Sequence, residues 1–151
     1  MALATYIITP SMVPSVICLD VASGVSLPLL PFWLPTEPLL HQVKAAVWSP
    51  DGSTLVYVPE TDKQASPDLE FWSQLVTMPV GGGSHRVLDS RSSDDKVIGT
   101  DIAWSNDGKL LAYSLYPWDG PELSPTMRVV DAVTGQVKVT VANATGASWS
   151  Q

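Results

Sequence analysis

Apolar positions along the chain come in short runs separated by turn formers, and they show no stripe at helical spacing. The runs Leu55 to Val58 and Leu110 to Leu115 are apolar at almost every position, which suits strands buried on both faces. Each is preceded by a reversal signal, Ser49-Pro50-Asp51-Gly52 or Ser105-Asn106-Asp107-Gly108. Asp-Gly supplies the positive φ that a tight hairpin needs. A second class of run ends in glycine: Val16 to Gly24, Leu75 to Gly83 and Arg128 to Gly135. Further strands are predicted at Val25 to Leu30, Arg86 to Leu88 and Val137 to Val141, and no segment calls for a helix.

Laid side by side, these runs form an internal repeat. Ala46 to Tyr57 recurs as Ile102 to Tyr113, with Trp, Ser, Asp, Gly and Tyr each 56 residues apart. A third start, Ala147-Ser148-Trp149-Ser150, places its tryptophan 45 residues after Trp104. With strands lettered A to D, the chain reads BCD, ABCD, ABCD, A. That order predicts an all-β chain of four-stranded antiparallel sheets. Strands BCD fall in 1–30, a second unit in 43–88, a third in 99–141, and a lone A strand in 145–151.

The Trp-Ser-Pro-Asp-Gly hairpin, with its following strand closing on Met78-Pro79-Val80-Gly81 or Asp131-Ala132-Val133-Thr134-Gly135, resembles the blade repeat of TolB-like, PD40-type (WD40-like) β-propellers. Similar repeats occur in the propellers of prolyl-oligopeptidase-type peptidases. The resemblance spans nearly the whole chain and departs at Asn106, where the family has proline. It implies a propeller, and for the peptidases it implies chemistry housed in a separate α/β-hydrolase domain. It assigns no role by itself, because propellers host many.

Closed propellers have about four to eight blades, so three do not make a ring. Two copies would make six. A two-fold homodimer closed by strand exchange is therefore expected, in which Ala147 and Trp149 of one chain complete the sheet holding Tyr6 of the other. Tyr6 takes the place of Tyr57 and Tyr113, which each lie nine residues after their tryptophans. The other reading makes the chain a piece of a longer propeller.

Long loops on a rigid scaffold are where binding residues gather. Here the B–C and D–A connections are expected to be long: Pro31 to Gln42, Glu60 to Glu70, Asp89 to Lys96 and Tyr116 to Ser124. They define an acidic and aromatic candidate face of Trp33, Glu60, Asp62, Asp68, Asp94, Asp95, Tyr116, Trp118, Asp119 and Glu122, suited to a protein or peptide partner. The competing reading leaves the acids solvated and the aromatics plugging blade ends. Trp48, Trp104 and Trp149 repeat with the strands and are expected to pack between sheets. Asp51 and Asp107 are expected to serve their turns. Lys44 and Asp101 fall on A strands, beside the central channel, where they are expected to pair with one another or face solvent, the alternative being that they line a polar channel for a small ligand or cation.

Composition narrows the classes. A net charge of −7 with eight Lys and Arg among 151 residues argues against nucleic acid, whose affinity comes from cations on phosphates. A lone Cys18 excludes an intrachain disulfide, and His41 and His85 have no zinc spacing. The uncharged N-terminal stretch lacks a basic start and is interrupted by Pro10 and Pro14, so neither a signal peptide nor a membrane helix is expected, and the default compartment is cytoplasmic. There is no Gly-x-Ser-x-Gly elbow and no cofactor motif, so no catalytic, metal or cofactor residue is assigned. Asp101 alone falls short of the roughly six to eight oxygens that calcium takes. The expected function is a non-catalytic binding scaffold; the alternative is a ligand or metal site in the channel, with hydrolytic chemistry.

Overall fold

The computed structural model describes residues 2–7, 15–20, 26–28, 41–65, 68–80, 84–92, 95–117 and 124–150. Every regular element among them is a strand: β1 (Ala2–Ile7), β2 (Ser15–Asp20), β3 (Ser26–Pro28), β4 (His41–Trp48), β5 (Thr54–Ala65), β6 (Asp68–Pro79), β7 (Arg86–Ser92), β8 (Lys96–Trp104), β9 (Leu110–Pro117), β10 (Thr126–Asp131) and β11 (Val137–Ala142). They form one three-stranded sheet, β1-β2-β3, and two four-stranded sheets, β4-β5-β6-β7 and β8-β9-β10-β11. Each ladder joins chain neighbours in antiparallel register, so the chain folds as successive hairpins.

Local chemistry sets these hairpins. The Ser49 hydroxyl donates to Asp51 Oδ1 at 2.6 Å and accepts the Thr54 amide at 2.9 Å, while Asp51 also accepts the Ser53 amide at 3.0 Å. Gly52 takes the left-handed conformation the reversal requires, with φ 71°. The second copy repeats this bond for bond: Ser105 donates to Asp107 at 2.8 Å and accepts the Leu110 amide at 2.9 Å, and Asp107 accepts the Lys109 amide at 3.1 Å. Both turns are closed by bonds among their own residues, and the following strand adds the Val80 amide on the Ser53 carbonyl and the Ala132 amide on the Lys109 carbonyl, each at 2.9 Å.

Packing explains why β5 and β9 lack the alternation of a half-exposed strand. Val56, Val58 and Leu75 of the second sheet meet Ile98, Ile102, Leu111, Tyr113, Leu115 and Val130 of the third in one buried cluster. Leu55, Tyr57, Val76 and Met78 point from the other face of the second sheet into a separate cluster with Val43. On that side β1 and β2 lie against β4. A sheet covered on both faces needs apolar residues at consecutive positions.

Polar bonds fix the second sheet on the third. Trp104 Nε1 donates to the Val47 carbonyl at 3.3 Å, and the fully buried Ser73 hydroxyl accepts the Ile98 amide at 2.8 Å. Ile98 lies on the edge strand β8, as the last residue paired with β9 before the register breaks between Ile98 and Ile102. Arg86 reaches across to the Val133 carbonyl.

Two expected loops are strands. Glu60 to Glu70 was expected to be a connection, but β5 and β6 stay paired from Glu60↔Ser73 out to Ala65↔Asp68, forming a ribbon that runs past the ends of β4 and β7. Asp89 to Ser92 continue β7, paired with β6 as far as Trp72↔Ser92. Both segments are polar at nearly every position, which a sequence reading takes for a loop although it equally suits a ribbon open to water.

Candidate functional site

The far ends of β5 and β9, the start of β6 and Asp95 all lie at one end of the sheets, where the acidic face was expected. Asp62 pairs across the ribbon with Phe71, and Asp68 with Ala65. Asp95 is exposed and accepts from Arg91 Nη1 at 2.7 Å. Trp33, Asp94, Trp118, Asp119 and Glu122 fall outside the described residues. Glu60 and Tyr116 turn out to be inward groups. Glu60 is 9% exposed and forms an ion pair with Lys44, while Tyr116 donates to Asp101 Oδ1 at 3.2 Å.

Lys44 and Asp101 both sit at bulges of β4 and β8, the first strands of the two four-stranded sheets. The β4–β5 register shifts between Val43 and Ala45, extruding Lys44 toward Glu60. Asp101 lies within the β8 bulge, and its carboxylate accepts from the Ser114 hydroxyl, the Tyr116 hydroxyl and, at 2.8 Å, the Gly146 amide. Each charge is answered within its own sheet or by the following segment, so the expected pairing of Lys44 with Asp101 is not formed. Partial burial pushes the Asp101 carboxyl up, but its hydrogen bonds from Ser114, Gly146, its own backbone and Tyr116 outweigh that and hold it below the usual range. Tyr116 moves the opposite way, raised by desolvation and by the neighbouring Asp101 charge.

Asp89, grouped by the sequence with the loop acids, joins the two four-stranded sheets. It stands in β7 and accepts from Tyr113 Oη at 2.5 Å, Arg91 Nε at 3.1 Å and Arg128 Nη1 at 3.3 Å. Burial, with the Asp89 charge beside it, raises the Tyr113 phenol far above its ordinary range. No sequence signal pairs Asp89 with Tyr113 and Arg128, since those bonds span 24 and 39 residues between different strands.

At the opposite end, a cleft of about 390 Å³ opens between the two Asp-Gly hairpins, lined by Pro50, Asp51, Trp104, Asn106, Asp107 and Val133. Sequence reading assigned only tight turns to this end. The carboxylates of Asp51 and Asp107 already serve their own turns; hydrogen bonds from Ser49 and Ser53 hold Asp51 down to about 2. Trp149 packs on the third sheet, its Nε1 donating to the Ala103 carbonyl at 3.2 Å; Ala147 is half-buried beside it, and Tyr6 pairs with Val16 in the first sheet. Among the described residues no three His, Cys, Asp or Glu side chains are grouped to hold a metal ion, and no helix is long and apolar enough to cross a membrane.

No protein-family model matches the chain, and no curated protein matches it. Among solved structures it is similar to a puromycin-hydrolyzing peptidase of Mycobacterium tuberculosis, with a TM-score of 0.55 at 23% identity. The match covers 85% of this chain and 20% of the peptidase chain, so this chain spans about a fifth of that protein's length. At that identity the likeness is one of fold.

Proposed function

We propose that the chain is a set of β-propeller blades of the TolB-like type acting as a non-catalytic scaffold, and that it presents the ribbon end to a basic protein or peptide segment. One observation carries this reading: the inward carboxylates are already used structurally, Asp89 between two sheets, Asp101 by three donors and Glu60 by Lys44, while Asp62, Asp68 and Asp95 are placed at the ribbon end, where Asp95 is exposed beside Arg91. A net charge of −7 favours a cationic partner and predicts association that weakens as salt rises.

The test uses fluorescein-labelled peptides carrying Lys or Arg beside Trp or Phe, with acidic peptides of matched length as controls. Polarisation is expected to rise only with the basic set, to fall with added salt, and to drop several-fold for the Asp62→Asn/Asp68→Asn/Asp95→Asn variant. Equal binding of the acidic set would overturn the reading.

The second reading, a ligand or metal site in the channel with hydrolytic chemistry, draws on the likeness to a peptidase structure. A melting temperature that climbs with calcium or zinc concentration, together with cleavage of a chromogenic ester, would favour it over the scaffold.

A further inference from the structure

Each repeat carries a tryptophan, at the end of β4, at the end of β8 and in the segment after β11, and in two of three the indole bonds the same atom of the preceding sheet. Trp104 Nε1 donates to the Val47 carbonyl and Trp149 Nε1 to the Ala103 carbonyl; each acceptor is the residue just before its own sheet's tryptophan. Trp48 breaks the series, because its Nε1 is buried with no acceptor among the described residues. A buried donor left unpaired is costly and rare, so it calls for an explanation. By the rule of the series, its acceptor belongs on an innermost strand of the first sheet. That sheet has three strands: β1, placed as β5 and β9 are in theirs, pairs with β2 and has no innermost neighbour among the described residues.

A second gap lies at the far face of the third sheet. Val129 and Met127 point opposite to the buried Val130 and pair with Val139 and Val141, which are 48% and 39% exposed. The inner strands are closed in both sheets, with Val56 and Val58 at 0% in the second and Ala112 at 4% and Ser114 at 0% in the third, so the opening lies along the outermost strand, β11. The far face continues the interface between the second and third sheets, and residues 146–149 already begin to cover it through Gly146 on Asp101 and Trp149 on Ala103.

We propose that a second copy of this chain fills both gaps at once. Residues 145–150 of one copy become the innermost strand of the partner's first sheet, the Ser148 carbonyl accepts the Trp48 indole across the join, and the partner's first sheet stacks on Val139 and Val141. One chain does not satisfy itself in this way, because its first and third sheets lie on opposite faces of the second. The operation is two-fold and closes six sheets, within the range of about four to eight that propellers use. This assembly rests on the propeller reading above.

Light scattering on the eluting full chain at micromolar concentration tests it. The expected mass is twice the 16.2 kDa of one chain. The Val139→Lys/Val141→Lys variant, altered only at exposed side chains, is expected to elute at single-chain mass with an unchanged β-sheet circular dichroism spectrum. The Trp48 indole proton resonance, assigned by its loss in Trp48→Phe, is expected to move upfield in that variant as its acceptor leaves. A wild-type chain of single mass, or a lysine variant that stays dimeric, overturns the proposal. Peptide polarisation is read separately, so a monomer that still binds basic peptides would sink the ring and spare the binding face.

Discussion

Tyr57 and Tyr113 hold the same place in successive repeats, and both are buried, yet they use that place differently. Tyr57 shares a hydrogen bond with His85 Nδ1 at 2.7 Å, inside the second sheet, whereas Tyr113 reaches out of the third sheet to Asp89 of the second. The two sheets are otherwise alike: both are buried at their second strand, β5 or β9, and both carry exposed valines on their last, Val87 on β7 and Val137, Val139 and Val141 on β11. Repetition thus sets where a side chain points, and the neighbouring sheet sets what it meets. A junction between sheets is held by particular groups, and Asp89 is the one with most donors.

Removing Asp89 should break this contrast with the largest effect. Asp89→Ala leaves Tyr113, Arg91 and Arg128 without their shared acceptor and is expected to cost about 2–3 kcal/mol in urea unfolding. Replacing His85 by Ala touches the second sheet alone and should cost about 1 kcal/mol or less.

Two glycines sharpen the comparison at smaller scale. Both have positive φ, 71° at Gly52 and 74° at Gly135, but a Cβ at Gly52 meets nothing within 4 Å while one at Gly135 lands 2.6 Å from the Leu88 carbonyl oxygen of the neighbouring sheet. Gly52→Ala is expected to lose only the backbone cost of about 1–2 kcal/mol. Gly135→Ala should exceed it, because the β10–β11 turn must also lift off β7. Equal midpoints for the two variants would show that the junction yields.

The smallest effects come from pH. Burial pushes the Tyr57 phenol up from 10.0 to about 12, so its contribution is whole below pH 10 and drains away as pH rises toward 12. Tyr57→Phe should flatten that alkaline fall in melting temperature. At the acid end, the Ser49 hydroxyl and the Ser53 amide lower Asp51 from 3.8 to about 2, so its contribution is present above pH 3.8 and is lost as pH falls through about 2. Asp51→Asn should shrink the acid limb.

The all-β character, the order of strands and the two Trp-Ser-x-Asp-Gly hairpins were legible in the residues alone. Each such turn is closed by a hydroxyl, a carboxylate and a glycine within six positions of one another, so their identities suffice. The site was legible in part. Asp62, Asp68 and Asp95 stand at the expected end, but Glu60 and Asp89 are acids of the interior, and nothing in their immediate neighbours announces Lys44, Arg128 or Tyr113 as partners. A charge is drawn inward only where a counter-charge or donor waits to offset its lost hydration. That partner arrives from another strand, so local sequence settled how the backbone turns, while the stacking of sheets decided which polar groups are buried and which are left for solvent.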